Sequence, residues 1–84
     1  MMYSNSVQKF SEDMERKLEL NKHKGHWRGC PILHFRQKII QKVGRLGTEI
    51  VRKNTESVKD ECVHIANFAM MIYENCEVEI EDSI

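Results

Sequence analysis

Four basic residues in the middle of the chain are spaced so that one helix would carry them on a single face. They are Lys38, Lys42, Arg45 and Arg52. The intervals of four, three and seven residues are those of neighbours on a helix surface. Such a face could bind phosphate, either of a small ligand or of a nucleic-acid backbone, or it could be a solvated face paired with acids elsewhere in the chain. No base-reading motif accompanies it, so sequence-specific nucleic-acid recognition is not predicted.

The net charge of zero conceals an uneven distribution of charge along the chain. Residues 22–53 contain nine Lys or Arg and one acid, Glu49, whereas residues 54–84 contain eight acids and one base, Lys59. Either the two segments face each other, within the fold or across a dimer, or the basic segment presents a surface to an anionic partner.

Length and composition predict one small cytoplasmic domain that spans residues 1–84. A chain of 84 residues buries a modest core, and one proline with four glycines leaves too few turns for a many-stranded barrel. No apolar run approaches the roughly 20 residues needed to cross a bilayer, and the N-terminus lacks a signal-peptide pattern. Three cysteines without a CxxC pair favour free thiols in a reducing compartment. We therefore expect no membrane partner.

Apolar periodicity predicts three helices that would position these residues. The predicted helices run from residue 4 or 6 to 20, from about 31 to 53, and from the 54–57 segment to 74 or 75. A loop over 21–31 joins the first two. The remaining residues, 76–84, form an acidic tail that alternates acids with Val78 and Ile80, which predicts an exposed extension or a short strand.

The second helix has an apolar face that is close to a heptad repeat. Its members are Ile32, Phe35, Ile39, Val43, Leu46 and Ile50. The second and third helices carry apolar faces wider than a lone hairpin would bury. We therefore expect an all-α fold, a small helical bundle of three main helices that a homodimer completes as a four-helix core.

Two segments together resemble the MazG-like family of all-α nucleoside triphosphate pyrophosphohydrolases, in particular its short phage and archaeal forms. They are HKGHW at residues 23–27 and ANFAMMI at residues 66–72, and the resemblance covers about residues 7–75. It implies a dimeric four-helix core and Mg²⁺-dependent cleavage between the α- and β-phosphates of a nucleotide. It also implies that Lys24 meets phosphate, that Trp27 stacks or closes the site, and that Asn67 contacts the nucleotide.

The chain departs from the acidic motifs that hold Mg²⁺ in this family. Glu61 matches the first acid of an ExxD motif, but His64 stands at the second. The earlier ExxE motif is expected near residues 38–42, where Lys38 and Lys42 flank a segment without acids. Mg²⁺ prefers carboxylate oxygens, and a charged lysine repels it. We therefore expect hydrolysis to be lost or severely weakened, with no cofactor, and the lysines to contact phosphate directly.

The residues leave two other functions open. An active pyrophosphohydrolase with Mg²⁺ as cofactor would need a displaced metal site built from Glu49, Glu56, Asp60 or Glu61. A small viral or mobile-element protein would bind a host protein or nucleic acid through the basic second helix. The predicted nucleotide-binding residues are Lys24, Trp27, Lys38, Lys42 and Asn67, and the residues predicted for a poor metal site are Glu61 and His64.

Overall fold

The computed structural model describes residues 3–81, including every side chain there except those of Val78 and Glu81. Within this range the chain forms three α-helices and no strand: α1 (Ser4–Leu20), α2 (Ile32–Arg52) and α3 (Thr55–Cys76). A 3-10 turn, Lys22–Lys24, lies between α1 and α2, and a π-helical turn, Glu77–Glu81, follows α3. The predicted all-α class is confirmed. None of these helices is both long and apolar enough to cross a lipid bilayer.

The ends of α2 and α3 follow from residues at the turn between them. Lys53 adopts a left-handed conformation with φ 59°, which ends α2, and the side chain of Asn54 accepts a hydrogen bond from the Ser57 backbone N–H at 3.3 Å. This bond caps the first turn of α3. The helix α1 begins at Ser4, the earlier of the two predicted starts, and has no side-chain cap.

The main packing contact joins α2 to α3, and α1 also packs against α3. In the described part of the chain, Phe35 and Val63 are the buried apolar side chains. Within one chain the predicted heptad face is only partly covered, since Val43 and Ile50 are 52% and 55% exposed. A hairpin has one facing helix, so α3 covers the side of α2 that carries Phe35 and leaves the adjoining apolar side open.

The buried positions of α3 are mostly polar, unlike the apolar stripe that the sequence predicts. Glu61, Asn67 and Asn75 are buried together with Val63. Because α3 packs against both of the other helices, these side chains face the interior of the bundle. Buried polar groups need partners, and the partners they find define the site described below.

The acidic tail is exposed at Glu77, Glu79 and Ile80, as one of the two predictions had it, and it is not a strand over the part that the structure describes. Glu77–Glu81 forms a helical turn, and the Glu79 carboxylate accepts a hydrogen bond from the Ile32 backbone N–H at 2.8 Å. An acid at this place satisfies one of the free N–H groups at the start of α2. Residues 82–84 of the predicted tail lie outside the described residues.

Candidate functional site: a basic groove

A groove of about 720 Å³ opens where the 21–31 loop meets the three helices. We call it the basic groove. All five residues predicted to bind a nucleotide line it: Lys24, Trp27, Lys38, Lys42 and Asn67. Lys24 and Trp27 come from the loop, the other two lysines from α2, and Asn67 from α3. The fold thus brings together side chains that are up to 43 residues apart in the sequence.

The lining of the groove carries positive charge. Six of the lining residues are lysines or arginines: Lys17, Lys22, Lys24, Lys38, Lys42 and Arg45. Within residues 3–81, no Asp or Glu lines it. A concave surface of one sign concentrates the field and raises the local concentration of ions of opposite sign. Three of the four residues of the predicted basic face of α2 line the groove. The fourth, Arg52, lies outside it and pairs with Glu49.

Aromatic side chains form a second part of the lining. Trp27, Phe35 and Phe68 all line the groove. The His26 ring stacks on the Trp27 indole with centroids 4.2 Å apart and planes 20° apart, and Phe35 lies 6.2 Å from Phe68. A planar ring of a ligand would find apolar faces here, next to the cationic groups.

Lys17, Asp60 and His64 form a chain of polar contacts between α1 and α3. The Lys17 ammonium lies 2.6 Å from one Asp60 oxygen, and His64 Nε2 lies 3.4 Å from the other. The hydrogen bond from Lys17 holds the pKa of Asp60 below its usual value, although partial burial opposes it. Burial and the nearby Lys42 charge lower the pKa of His64 below 6.5. His64 is therefore mainly neutral at pH 7.

Glu61 lies beneath the groove, and its nearest cation is Lys42. The Lys42 ammonium and Glu61 Oε2 are 3.8 Å apart, with side chains only 18% and 11% exposed. Among the described residues this is the one ion pair between α2 and α3. No described residue donates a hydrogen bond to Glu61 Oε2. Glu61, the acid predicted for a metal site, thus has a lysine as its neighbour.

The residues present do not fit a Mg²⁺ site. In the described part of the chain, no three His, Cys, Asp or Glu side chains are grouped so that they could hold a metal ion. Glu61 faces Lys42, and Asp60 is bonded to Lys17. Glu49, proposed above for a displaced site, pairs with Arg52. Mg²⁺ needs several oxygen ligands in octahedral order, and an adjacent ammonium group opposes its approach.

Asn67 joins α3 to α1 at the edge of the groove. The residue is 4% exposed, and its Nδ2 donates to the Met14 carbonyl at 3.2 Å. Its Oδ1 is buried and has no hydrogen-bond partner among the described residues. Leaving a buried acceptor unpaired costs free energy, and a ligand in the groove would reach this oxygen only after neighbouring atoms move.

Sequence reasoning missed Asn75, which holds the loop wall of the groove. Its Nδ2 donates to the carbonyls of Trp27 and Cys30 at 2.9 and 3.3 Å, and its Oδ1 accepts from the Gly29 N–H at 3.3 Å. The available signal was its spacing of eight residues from Asn67, which places both amides on one helix face.

In the comparisons with known proteins, no family model, curated protein or solved structure matches the chain.

Proposed function

We propose that this chain is a MazG-like protein that binds a phosphorylated ligand of the nucleotide type in the basic groove and does not hydrolyse it efficiently. The observation that carries the proposal is the composition of the groove, in which six cationic side chains and no described acid accompany three aromatic rings. The resemblance of HKGHW and ANFAMMI to the family agrees with this assignment, because both segments supply lining residues.

The cationic lining supports the phosphate part of the proposal. Lys38 and Lys42 stand one helical turn apart on α2 and both line the groove. Hydrogen bonds from ammonium groups to phosphate oxygens are stronger than those between neutral groups. A diphosphate or triphosphate would engage several of these cations at once.

The aromatic lining supports the base part of the proposal. Stacking of a base on an aromatic side chain contributes about 1–3 kcal/mol and does not depend on the identity of the base. Trp27 and Phe68 offer such faces next to the cationic groups.

The proposed weakness of hydrolysis follows from the surroundings of Glu61. In metal-dependent phosphoryl chemistry the metal neutralises phosphate charge and activates the attacking water. Lys42, 3.8 Å from Glu61, would neutralise phosphate charge, but an ammonium group generates no nucleophilic hydroxide. Binding without a metal is therefore the expected activity.

The direct test is a titration of the chain with ATP and with inorganic pyrophosphate in EDTA, for the natural sequence and for Lys38→Met. Lys38 forms no ion pair among the described residues, so its removal leaves the fold intact. We expect Lys38→Met to weaken ATP binding roughly ten- to hundredfold, the cost of one hydrogen bond to a charged group. The matched control is Lys59→Met, which removes an exposed lysine outside the groove.

The same titration separates this proposal from the two alternatives. Release of pyrophosphate from ATP on addition of Mg²⁺ would contradict loss of hydrolysis and favour the active enzyme. Failure of the natural chain to bind either probe at low salt would reject the proposal. Tighter binding of a single-stranded oligonucleotide, with a salt slope of several phosphates, would favour the nucleic-acid alternative.

A further inference from the structure

The loop between α1 and α2 is tied to α3 mainly through one side chain. Asn75 is 2% exposed and makes three hydrogen bonds to the backbone of residues 27–30. Both polar atoms of its side-chain amide are used, Nδ2 as a donor and Oδ1 as an acceptor. A buried amide with all these partners fixes the position of the backbone it binds.

This loop supplies the wall of the groove that carries Trp27. The carbonyl of Trp27 accepts the shortest of the three bonds, at 2.9 Å. At the other end of the residue, the indole Nε1 donates to the Glu74 carboxylate at 3.1 Å. Adjacent residues of α3 therefore hold both the backbone and the ring of Trp27, while Lys38 and Lys42 stand on α2 and form no hydrogen bond or ion pair with Asn75 or Glu74.

The backbone of the loop turns at two glycines. Gly25 and Gly29 have φ of 89° and 85°, a region open to glycine at little steric cost. Local hydrogen bonds hold the first part of the loop in its 3-10 turn, and one closes the turn from Trp27 to Cys30. The bonds from Asn75 are the ones that join the backbone of residues 27–30 to α3.

We infer that Asn75 is a positioning residue that sets the preference of the groove for ligands with a planar ring. It acts through Trp27: with the loop held, the indole lies beside the cationic lining, and a ring attached to a bound phosphate can stack on it. The inference rests on the proposed binding function. It adds that affinity for the ring and affinity for the phosphate have separate structural origins. The first depends on α3 and the backbone of residues 27–30. The second depends on cations outside that segment, the lysines of α2 and Lys24 in its own hydrogen-bonded turn.

The test compares ATP with inorganic pyrophosphate, which has phosphates but no ring. For Asn75→Ala we expect affinity for ATP to fall about tenfold, the order of one lost stacking contact, while affinity for pyrophosphate is nearly unchanged. Trp27→Leu should give the same split, and the double variant should be no weaker than Trp27→Leu alone. Asn54→Ala is the matched control, since it removes an asparagine that caps α3 away from the groove. It should lower stability and leave the ratio of the two affinities unchanged.

A second readout does not require a ligand. Trp27 is the sole tryptophan of the chain, so its fluorescence reports on the loop. Asn75→Ala should shift its emission to the red and increase its quenching by acrylamide. If Asn75→Ala does not fold, Glu74→Ala removes the exposed bond to Nε1 and should shift both readouts in the same direction by a smaller amount.

Failure of the positioning role and failure of the proposed function give different results. Equal losses for ATP and pyrophosphate in Asn75→Ala, or unchanged Trp27 fluorescence, would overturn the positioning role. An additive double variant would also overturn it, because Asn75 would then act independently of Trp27. Absence of binding by the natural chain would reject the proposed function, and the fluorescence result would still decide whether Asn75 holds the loop.

Discussion

At the scale of single residues, His64 contacts both the Lys17–Asp60 ion pair and the space in which a ligand would bind. It lines the groove, contacts Asp60, and has a pKa that burial and Lys42 lower below 6.5. The nearby charges are Lys17 and Lys42, which disfavour its protonation, and Asp60 and Glu61, which favour it. A bound anion would, like the two carboxylates, favour protonation of His64.

We therefore predict that anion binding is coupled to proton uptake. An anion beside His64 raises its pKa, so the complex holds more protons than the free protein near neutral pH. Affinity must then increase as the pH falls from neutral towards the acidic range in which His64 of the free protein also becomes protonated. Sulfate is the suitable probe, because its own charge is constant over this range, and isothermal titration at each pH gives the affinity. His64→Gln should reduce the pH dependence, leaving any part due to His26 and His34, which also line the groove. The same slope in His64→Gln and the natural chain would show that His64 takes no part.

At the scale of elements, the helices were predictable and the register between them was not. Periodicity and the residues at the ends, Pro31 before α2 and Asn54 before α3, place the helices to within about two residues. Which side of α2 meets α3 depends on what else covers it, so the spacing alone did not show that α3 covers Phe35 and leaves Val43 and Ile50 exposed. Asn75 escaped notice for a related reason: its partners are backbone groups of a distant loop, which no spacing rule pairs with it.

The turn between α2 and α3 allows a prediction about stability. Lys53 has φ 59°, a conformation that costs about 1 kcal/mol for residues other than glycine, and glycine is the preferred residue at this place after a helix. Lys53→Gly should therefore raise the free energy of unfolding by a few tenths to about 1 kcal/mol in urea denaturation. The same substitution at Lys59, inside α3, should lower it by about 1 kcal/mol. A loss of stability in both variants would mean that the left-handed turn carries no strain.

At the scale of the whole molecule, the small size of the apolar core limits the stability of a single chain. Phe35 and Val63 are the buried apolar residues in the part of the chain that the structure describes, and domains of this size are marginally stable. The uncovered side of α2 carries a stripe of apolar residues that are 50–81% exposed. Its members are Leu33, Ile40, Val43, Ile50 and Val51. Beside it, a Cβ built on Gly44 or Gly47 meets nothing within 4 Å, so a second helix has room to approach.

We propose that a second copy of the chain covers this stripe, as the sequence predicted from the width of the apolar faces. In a twofold dimer each α2 would present the same surface to the other, and Val43, near the middle of α2, would lie close to the axis. Val43→Lys would place two like charges there and should convert the dimer to a monomer, with a lower Tm, in sedimentation equilibrium and thermal unfolding. Tyr73→Lys is the matched control, because Tyr73 is 79% exposed on α3, away from the stripe, and should remain dimeric. The Tm of the natural chain should rise with protein concentration, since association stabilises the folded state by mass action. A natural chain that is monomeric at every concentration, with a constant Tm, would reject the dimer and leave the hairpin of α2 and α3 as the complete core.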